Sequence, residues 1–373
     1  MYERASARID LGAVSHNVGV LRRAIGPEVE LSPVLKADGY GHGLAGCAPA
    51  AIAAGVDRIA VATAREASAM RELDADVPIL VLGALSPEES ELAISAGGAI
   101  SAWAPDFADA IDGRAAAAGR KVPVHVKYDT GMGRLGSFDP EEVLETARRV
   151  DAAAHLELEG LWTHFATADD TDRSFMRQQL DRLNRLAETV KAEFPAIRLH
   201  AANSAATLTE PASRLDLVRP GVALYGMDPF GNDPSDHDLR PVLSLHSYVA
   251  AVKRFEPGMS AGYGRTWTAE RPTTVVTVPV GYGDGVRRGL SNRGEVLIGG
   301  VRHPIAGTVS MDNITVAVGD HPVSVGDEVT LIGEQGQERI TAEQVARALG
   351  TINYEVTCGV SPRVPRHCFG EPA

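Results

Sequence analysis

Several short apolar runs in this chain stop at side chains able to do chemistry. LSPVLK closes on Lys36, VPVHVK on Lys127, GLWTHFAT carries His164, HAANSAAT turns at Asn203 and Ser204, and LDLV is followed by Arg219. A lysine amine that has lost its proton attacks carbonyl carbon. A serine at the start of a short helix offers a hydroxyl and free backbone N–H groups to a phosphate. An arginine can only donate hydrogen bonds and keeps its proton. Any one of these alone is an ordinary strand end, but five such ends in series call for elements that gather them.

Those elements are legible as alternation. Asp10 reads as an N-cap, with Leu11, Val14, Val18, Leu21 and Ile25 following at helical spacing. Strands are expected at 31–36, 58–62, 78–82, 98–102, 122–128, 155–161, 198–202 and 215–218, with helices at 64–73, 87–95, 104–118, 139–150 and 171–193 between them. Eight strands alternating with helices predict an α/β fold, a (β/α)8 TIM-type barrel, whose functional groups collect at the C-terminal strand ends. In such barrels the loops after strands seven and eight hold phosphate, here NSAAT and RPGV, where Gly221 lets the backbone come close. A phosphate at one side of the mouth and Lys36 at strand one suggest a phosphate-bearing aldehyde held as a Schiff base, which is pyridoxal phosphate (PLP). Arg219 would meet its ring nitrogen and His164 its ring face. The glycines of DGYGHG make room for it, and Tyr40 offers a hydroxyl to its phosphate.

After Tyr225 the texture changes. GMDPFGNDPSDHDLRP is rich in Gly, Pro and Asp and reads as a linker, and beyond it β-branched runs broken by glycine predict a mainly β domain with one late helix, TAEQVARALG, capped by Thr341. The expected division is 1–235 for the barrel and 236–373 for the mainly β C-terminal domain. With 373 residues, 44% hydrophobic and 23% charged, the composition is that of a globular protein. A net charge of −13 disfavours nucleic acid and anionic membrane as partners. Cys47, Cys358 and Cys368 form no C-x-x-C pair, the N-terminal residues show no apolar signal core, and no run is long enough to cross a bilayer. A cytoplasmic protein is expected.

VLKADGYGHG resembles the PLP-attachment motif of the alanine racemases, and the likeness runs on through VKYDTGMGRLG, THFATAD, HAANSAAT, VRPGVALYG, SAGYGRTW, PVGYGDGVRR, GTVSMDN and INYEV in order. The resemblance implies an isomerase interconverting L- and D-alanine on PLP by a two-base mechanism, a homodimer with shared sites, and a role in D-alanine biosynthesis for the cell-wall peptidoglycan. It implies Lys36 as the attachment lysine and one catalytic base, and Tyr263 of a partner subunit as the other. Tyr40, Ser204, Gly221, Val222 and Tyr354 would hold the phosphate, with Asn203 beside them, Arg219 would meet the ring nitrogen, and His164 would support the ring. Arg134 would orient the substrate carboxylate, Met311 and Asp312 would line the substrate end from the partner, and Tyr282 would narrow the entrance. Lys127 would be carbamylated, since a bare amine beside Arg134 makes a like-charge pair.

The sequence departs from the family pattern at Gly39, where alanine is common, and at Thr308, where arginine is frequent. A PLP decarboxylase of basic amino acids would want a carboxylate at the ring nitrogen and a glycine-run phosphate loop. A PLP-binding protein without catalysis would need no β domain carrying Tyr263. A metal-dependent barrel hydrolase would want H-x-H or H-E-x-x-H, and neither is present. A PLP racemase of serine, lysine or a broader range of amino acids remains the alternative.

Overall fold

The computed structural model describes residues 3–73 and 76–371. The chain divides into two compact units, one holding Ser15–Gly39 and Cys47–Leu224, the other joining the segment that ends at Val14, Tyr40–Gly46 and the chain from Tyr225 on.

In the first unit eight parallel strands follow one another in chain order: Glu30–Leu31, Ile59–Val61, Ile79–Val81, Gly98–Ala102, Val122–Lys127, Leu156–Trp162, Arg198–His200 and Leu217–Val218. The first pairs with the last, Leu31 opposite Val218. The seam between strands one and two is closed by a bridge from Val34 to Ala60 and by Leu35 N–H donating to the Ala60 carbonyl at 2.8 Å. The sheet is therefore a closed barrel without an edge. Expected strands lie within a few residues of those observed. The expected run 31–36 is the exception, broken because Pro33 has no N–H to give the ladder; Val34 then pairs with the opposite neighbour.

The helices between strands follow their caps. Thr63 and Glu66 form a capping box for Ala64–Glu72, Ser86 and Glu89 another for Pro87–Ser95, and Asp139 caps Pro140–Ala152. One helix, Leu44–Ala53, carries no amphipathic signal. Its sequence LAGCAPAAIA is apolar all round, so no periodicity announces it.

The second unit holds a mixed sheet in the spatial order Val301–Pro304, Glu295–Ile298, Glu328–Gln335, Leu243–Tyr248, Ser6–Asp10 and Arg366–Phe369. Its pairs are antiparallel except the last. The N-terminal strand Ser6–Asp10 buries Ala7 and Ile9 and leaves Arg8 exposed, the period of a strand with one solvated face. The unit also holds a three-stranded sheet of Ala251–Phe255, Thr273–Val278 and Ile314–Gly319, and the late helix Ala342–Leu349 is capped by Thr341 as expected.

The polar stretch at 226–241 is anchored at its start, where residues 226–229 are buried, and its later part is mostly half-buried or exposed. Asp228, fully buried, accepts from the N–H groups of Phe230 at 3.1 Å and Asn232 at 2.8 Å and lies 2.9 Å from His237 Nδ1. The Asp, Gly and Pro content thus builds an internal turn tied down by its own carboxylate.

Candidate active site

Lys36 lies half-buried five residues beyond strand one, just past the seam with strand two. The backbone then enters the left-handed region for several residues together, with φ of 53° at Ala37, 51° at Asp38, 62° at Gly39 and 54° at Tyr40. Non-glycine residues pay about 1–2 kcal/mol each for that conformation, and such stored strain is characteristic of functional loops. Gly41 continues the turn at φ 81°, where a Cβ would lie 2.1 Å from the Thr357 carbonyl oxygen, so no other residue fits.

Arg219 sits buried beyond strand eight. Its Nη2 donates to the carbonyls of Thr163 at 2.8 Å and Ala201 at 3.1 Å, and its Nη1 lies 2.6 Å from His200 Nδ1. Its Nε has no partner among the described residues. Burial pushes the guanidinium down to about 9, still protonated at neutral pH. The Trp162 ring carries two cations, with Lys127 Nζ 3.9 Å and the Arg219 guanidinium carbon 4.7 Å from its centroid.

His164 joins this group. Burial, then the charges of Arg219, Lys127, Arg134 and Lys36, push its imidazole well below the ordinary histidine value. It is therefore a neutral ring at physiological pH, fit to stack rather than to carry charge. Gln179 pins its loop, donating to the His164 carbonyl at 3.1 Å and accepting from Ala166 N–H at 2.9 Å.

Lys127 is buried, and its amine has no hydrogen-bond partner among the described residues. Burial first, then Arg219 and Arg134, lower its pKa well below that of a free lysine, against an opposing pull from Asp129. A buried amine among cations with no hydrogen-bond partner is an orphaned polar group.

Asp129 shapes the next loop. Its carboxylate accepts from the N–H groups of Gly131, Met132, Gly133 and Arg134 at 2.7–3.1 Å, folding the GMGR segment around itself and carrying Arg134. Burial alone would raise its pKa, yet these four donors take it below the usual carboxylate value. The stability it contributes is present above the unfolded carboxylate pKa near 4 and is lost as pH falls through the lower folded value. Asp129→Asn should cost about 1–3 kcal/mol. Thermal melting followed against pH should show the acid-side slope of the wild type reduced in the variant.

Ser204 opens the short helix Ser204–Thr209, whose N-cap Asn203 accepts from Ala206 N–H at 3.1 Å. The buried Ser204 hydroxyl accepts from Gly221 N–H at 2.9 Å and Ala223 N–H at 3.2 Å. Both lone pairs are used, so its proton is directed to an acceptor elsewhere. The loops after strands seven and eight are thereby tied together, with Val222 buried beside them.

The remaining predicted residues lie in the second unit, where Tyr40, Tyr225 and Tyr354 cluster. The Tyr40 centroid is 5.1 Å from Tyr225 and 6.0 Å from Tyr354. Asn353 holds the Tyr354 helix by donating to the Asp228 carbonyl at 2.8 Å and Glu343 Oε1 at 2.9 Å. Tyr263 is 73% exposed on a turn flanked by left-handed Gly262 and Gly264, its carbonyl accepting from Thr308 Oγ1 at 2.8 Å. Met311 is 51% and Tyr282 43% exposed, and their loops are joined, Gly283 N–H donating to the Met311 carbonyl at 2.9 Å. Asp312 accepts from Arg363 Nη2 at 2.9 Å and Arg4 Nη2 at 3.3 Å, and Arg4 Nη2 also binds buried Asp284 at 2.8 Å.

Lys36, Lys127, Arg134, His164 and Arg219 therefore converge within the barrel unit, and Asn203, Ser204 and Gly221 form a second group there. Sequence reasoning missed Trp162, Asp129 and His200. Trp162 stands two residues before His164, and VKYDTG places an Asx-turn residue two positions after Lys127; both signals were available.

A cluster of lysine, arginine and histidine side chains in a closed barrel, followed by a mainly β unit, defines the class of fold. Residues 9–229 match the family described as alanine racemase, N-terminal domain, and residues 242–368 match alanine racemase, C-terminal domain. The alanine racemase of Symbiobacterium thermophilum is 44% identical over 98% of this chain and 97% of its own. Among solved structures, the alanine racemase from Streptomyces coelicolor A3(2) superposes with a TM-score of 0.92 at 38% identity, covering 98% of each chain. The one from D-cycloserine-producing Streptomyces lavendulae gives 0.94 at 35%, covering 100% of this chain and 98% of its own. The chain belongs to the alanine racemase family.

Proposed function

We propose that this protein interconverts L- and D-alanine with PLP, using one base on each side of the substrate's α-carbon. The observation that carries the reading is the field at His164, produced by Arg219, Lys127, Arg134 and Lys36 around one neutral ring. Such a mouth attracts an anionic cofactor and a substrate carboxylate. The donor set fits PLP: an amine at Lys36, a hydroxyl proton at Ser204 left over after two accepted bonds, and donor-only Arg219 with an unpartnered Nε. PLP, when bound, takes up the electrons released as the α C–H bond breaks.

Lys36 Nζ would anchor the cofactor and move the α-proton on one face. Tyr263 Oη, from a second copy of the chain, would move it on the other. Ser204, with Asn203, Gly221 and Val222, would hold the phosphate. Arg219 would donate to the ring nitrogen, leaving that nitrogen without a proton, and His164 would support the ring. Arg134 would hold the substrate carboxylate, with Met311 and Asp312 of the second copy at its far side. The exposure of Tyr263, Tyr282 and Met311 supports this homodimer, since large apolar side chains are covered by such contacts. D-alanine formed this way would supply cell-wall peptidoglycan, and a cytoplasmic location accords with that role.

The test is purified protein with PLP and, in parallel, L-alanine, L-serine or L-lysine, scored by D-amino-acid oxidase. D-alanine should form with the highest kcat/KM. Faster turnover of serine or lysine would replace this reading with that of a broader racemase.

Lys127 follows from the same chemistry. Its amine, unpartnered and with its pKa lowered by burial and the arginines, would attack CO2 once deprotonated and release a proton, and the carbamate would bring negative charge among Arg134 and Arg219. Lys127→Ala should lower kcat/KM by about 10- to 100-fold, about 1.4–2.7 kcal/mol, with partial recovery in added acetate. Protein equilibrated with ¹³CO2 should show a carbamate carbon resonance that this variant lacks. A crystal structure with a bare Lys127 amine would refute the modification.

A further inference from the structure

Behind Arg219 a row of buried polar groups links strands five, six and seven. Arg219 Nη1 lies 2.6 Å from His200 Nδ1, His200 Nε2 lies 2.8 Å from His125 Nδ1, and His125 Nε2 lies 3.0 Å from Glu159 Oε2. Both histidines are fully buried.

The direction of every bond in this row is dictated from one end. A guanidinium only donates, so His200 Nδ1 must accept and carry no proton. The His200 proton is then on Nε2, where it faces His125 Nδ1, which must accept in turn. The His125 proton is left on Nε2 and goes to the Glu159 carboxylate. Burial is the main force keeping both imidazoles neutral; Arg219 adds to it at His200, while Glu159 opposes it at His125. Burial would also raise Glu159, but His125 and Arg58 hold its carboxyl far below the usual range. Arg58 Nη1 donates to Glu159 Oε2 at 3.2 Å and Arg198 Nη1 to Oε1 at 3.2 Å, so the terminal carboxylate is ionised and fixed.

The barrel is shaped around this row. The register between strands five and six slips between Val124 and His125. A Cβ at Gly160 would stand 2.2 Å from His125 Nδ1, so only glycine admits the ring. Trp162 stacks on His200 with centroids 5.7 Å apart and planes at 5°. A bulge, a glycine and an aromatic shelf around an ionised, hydrogen-bonded row exceed what packing requires, because an apolar interior would be cheaper.

We infer that Glu159, His125 and His200 are positioning residues that act through Arg219: they fix its guanidinium as a donor toward the cofactor's ring nitrogen and draw its positive charge back toward Glu159. This rests on the reading that Arg219 meets that nitrogen. It predicts a tautomer pattern that a merely space-filling pair of histidines would not show.

The test is nitrogen NMR on holoenzyme labelled with ¹⁵N-histidine, the two rings among the 11 histidines assigned by loss of signal in His125→Gln and His200→Gln. Both rings should be neutral with the proton on Nε2 from pH 6 to 9. A proton on Nδ1 of either ring, or an imidazolium, overturns the proposal. Glu159→Gln keeps an oxygen to accept from His125 but removes the charge. It should preserve the tautomers and lower kcat by about tenfold, with KM for alanine changed by less than about twofold. An unchanged kcat in a variant that keeps the tautomers would reduce the row to architecture and overturn the proposal. Wild-type protein that binds no PLP would refute the cofactor reading itself, a result separate from the tautomer pattern.

Discussion

Lys36→Ala should abolish covalent capture of PLP and lower racemisation by about a thousandfold or more, the range lost when a positioned acid–base group is removed. The residue leaves a closed barrel seam, where Leu35 is fully buried and hydrogen-bonded to strand two, and enters a left-handed turn. That backbone aims one amine at the mouth with little freedom. The other lysine of this group, Lys127, is buried on the Trp162 face, its amine 3.9 Å from the ring centroid. Borohydride reduction of protein incubated with PLP should fix the label on wild-type chain and leave the variant unlabelled. Equal labelling of both would place the attachment elsewhere.

Tyr263→Phe should lower racemisation by about 10²–10⁴-fold yet leave exchange of the α-proton with solvent for one enantiomer, because the base on the other face remains. The turn carrying Tyr263 is held from beneath, Thr308 Oγ1 donating to its carbonyl, so loss of the hydroxyl should not unfold it. The proposed sharing of sites has a sharper consequence. Neither Lys36→Ala nor Tyr263→Phe protein should racemise alone. When the two are mixed and allowed to exchange subunits, hybrid dimers should contain one intact site, restoring about a quarter of wild-type activity. If Tyr263 served its own chain's barrel, mixing would restore nothing.

Much of this could be read from residue patterns, and the failures have physical causes. Barrel strands announced themselves because each is short, apolar and followed by a capped helix, as at Thr63, Ser86 and Asp139. Lys36, Lys127, His164 and Arg219 stood out because a polar, basic side chain ends an apolar run. His200 did not, since two alanines separate it from Asn203 and its partners His125 and Glu159 come from other strands. Only closure of the sheet brings them into line. Strand Ser6–Asp10 pairs with Leu243–Tyr248, and no local pattern encodes a partner so remote in sequence. The left-handed turn was half visible: Gly39, Gly41 and Gly43 signalled positive φ, but Ala37, Asp38 and Tyr40 adopt it against their own preference. At 226–241 composition suggested a linker because turn residues look alike whether they float or, like Asp228, are buried.

The most direct test of the central claim is one incubation of wild-type protein and PLP with L-alanine in D₂O, following optical rotation and the α-proton signal together. Racemisation by two bases predicts that both decay, with deuterium incorporated in the D-alanine formed. Protein that binds PLP while rotation and α-proton signal stay constant would contradict it.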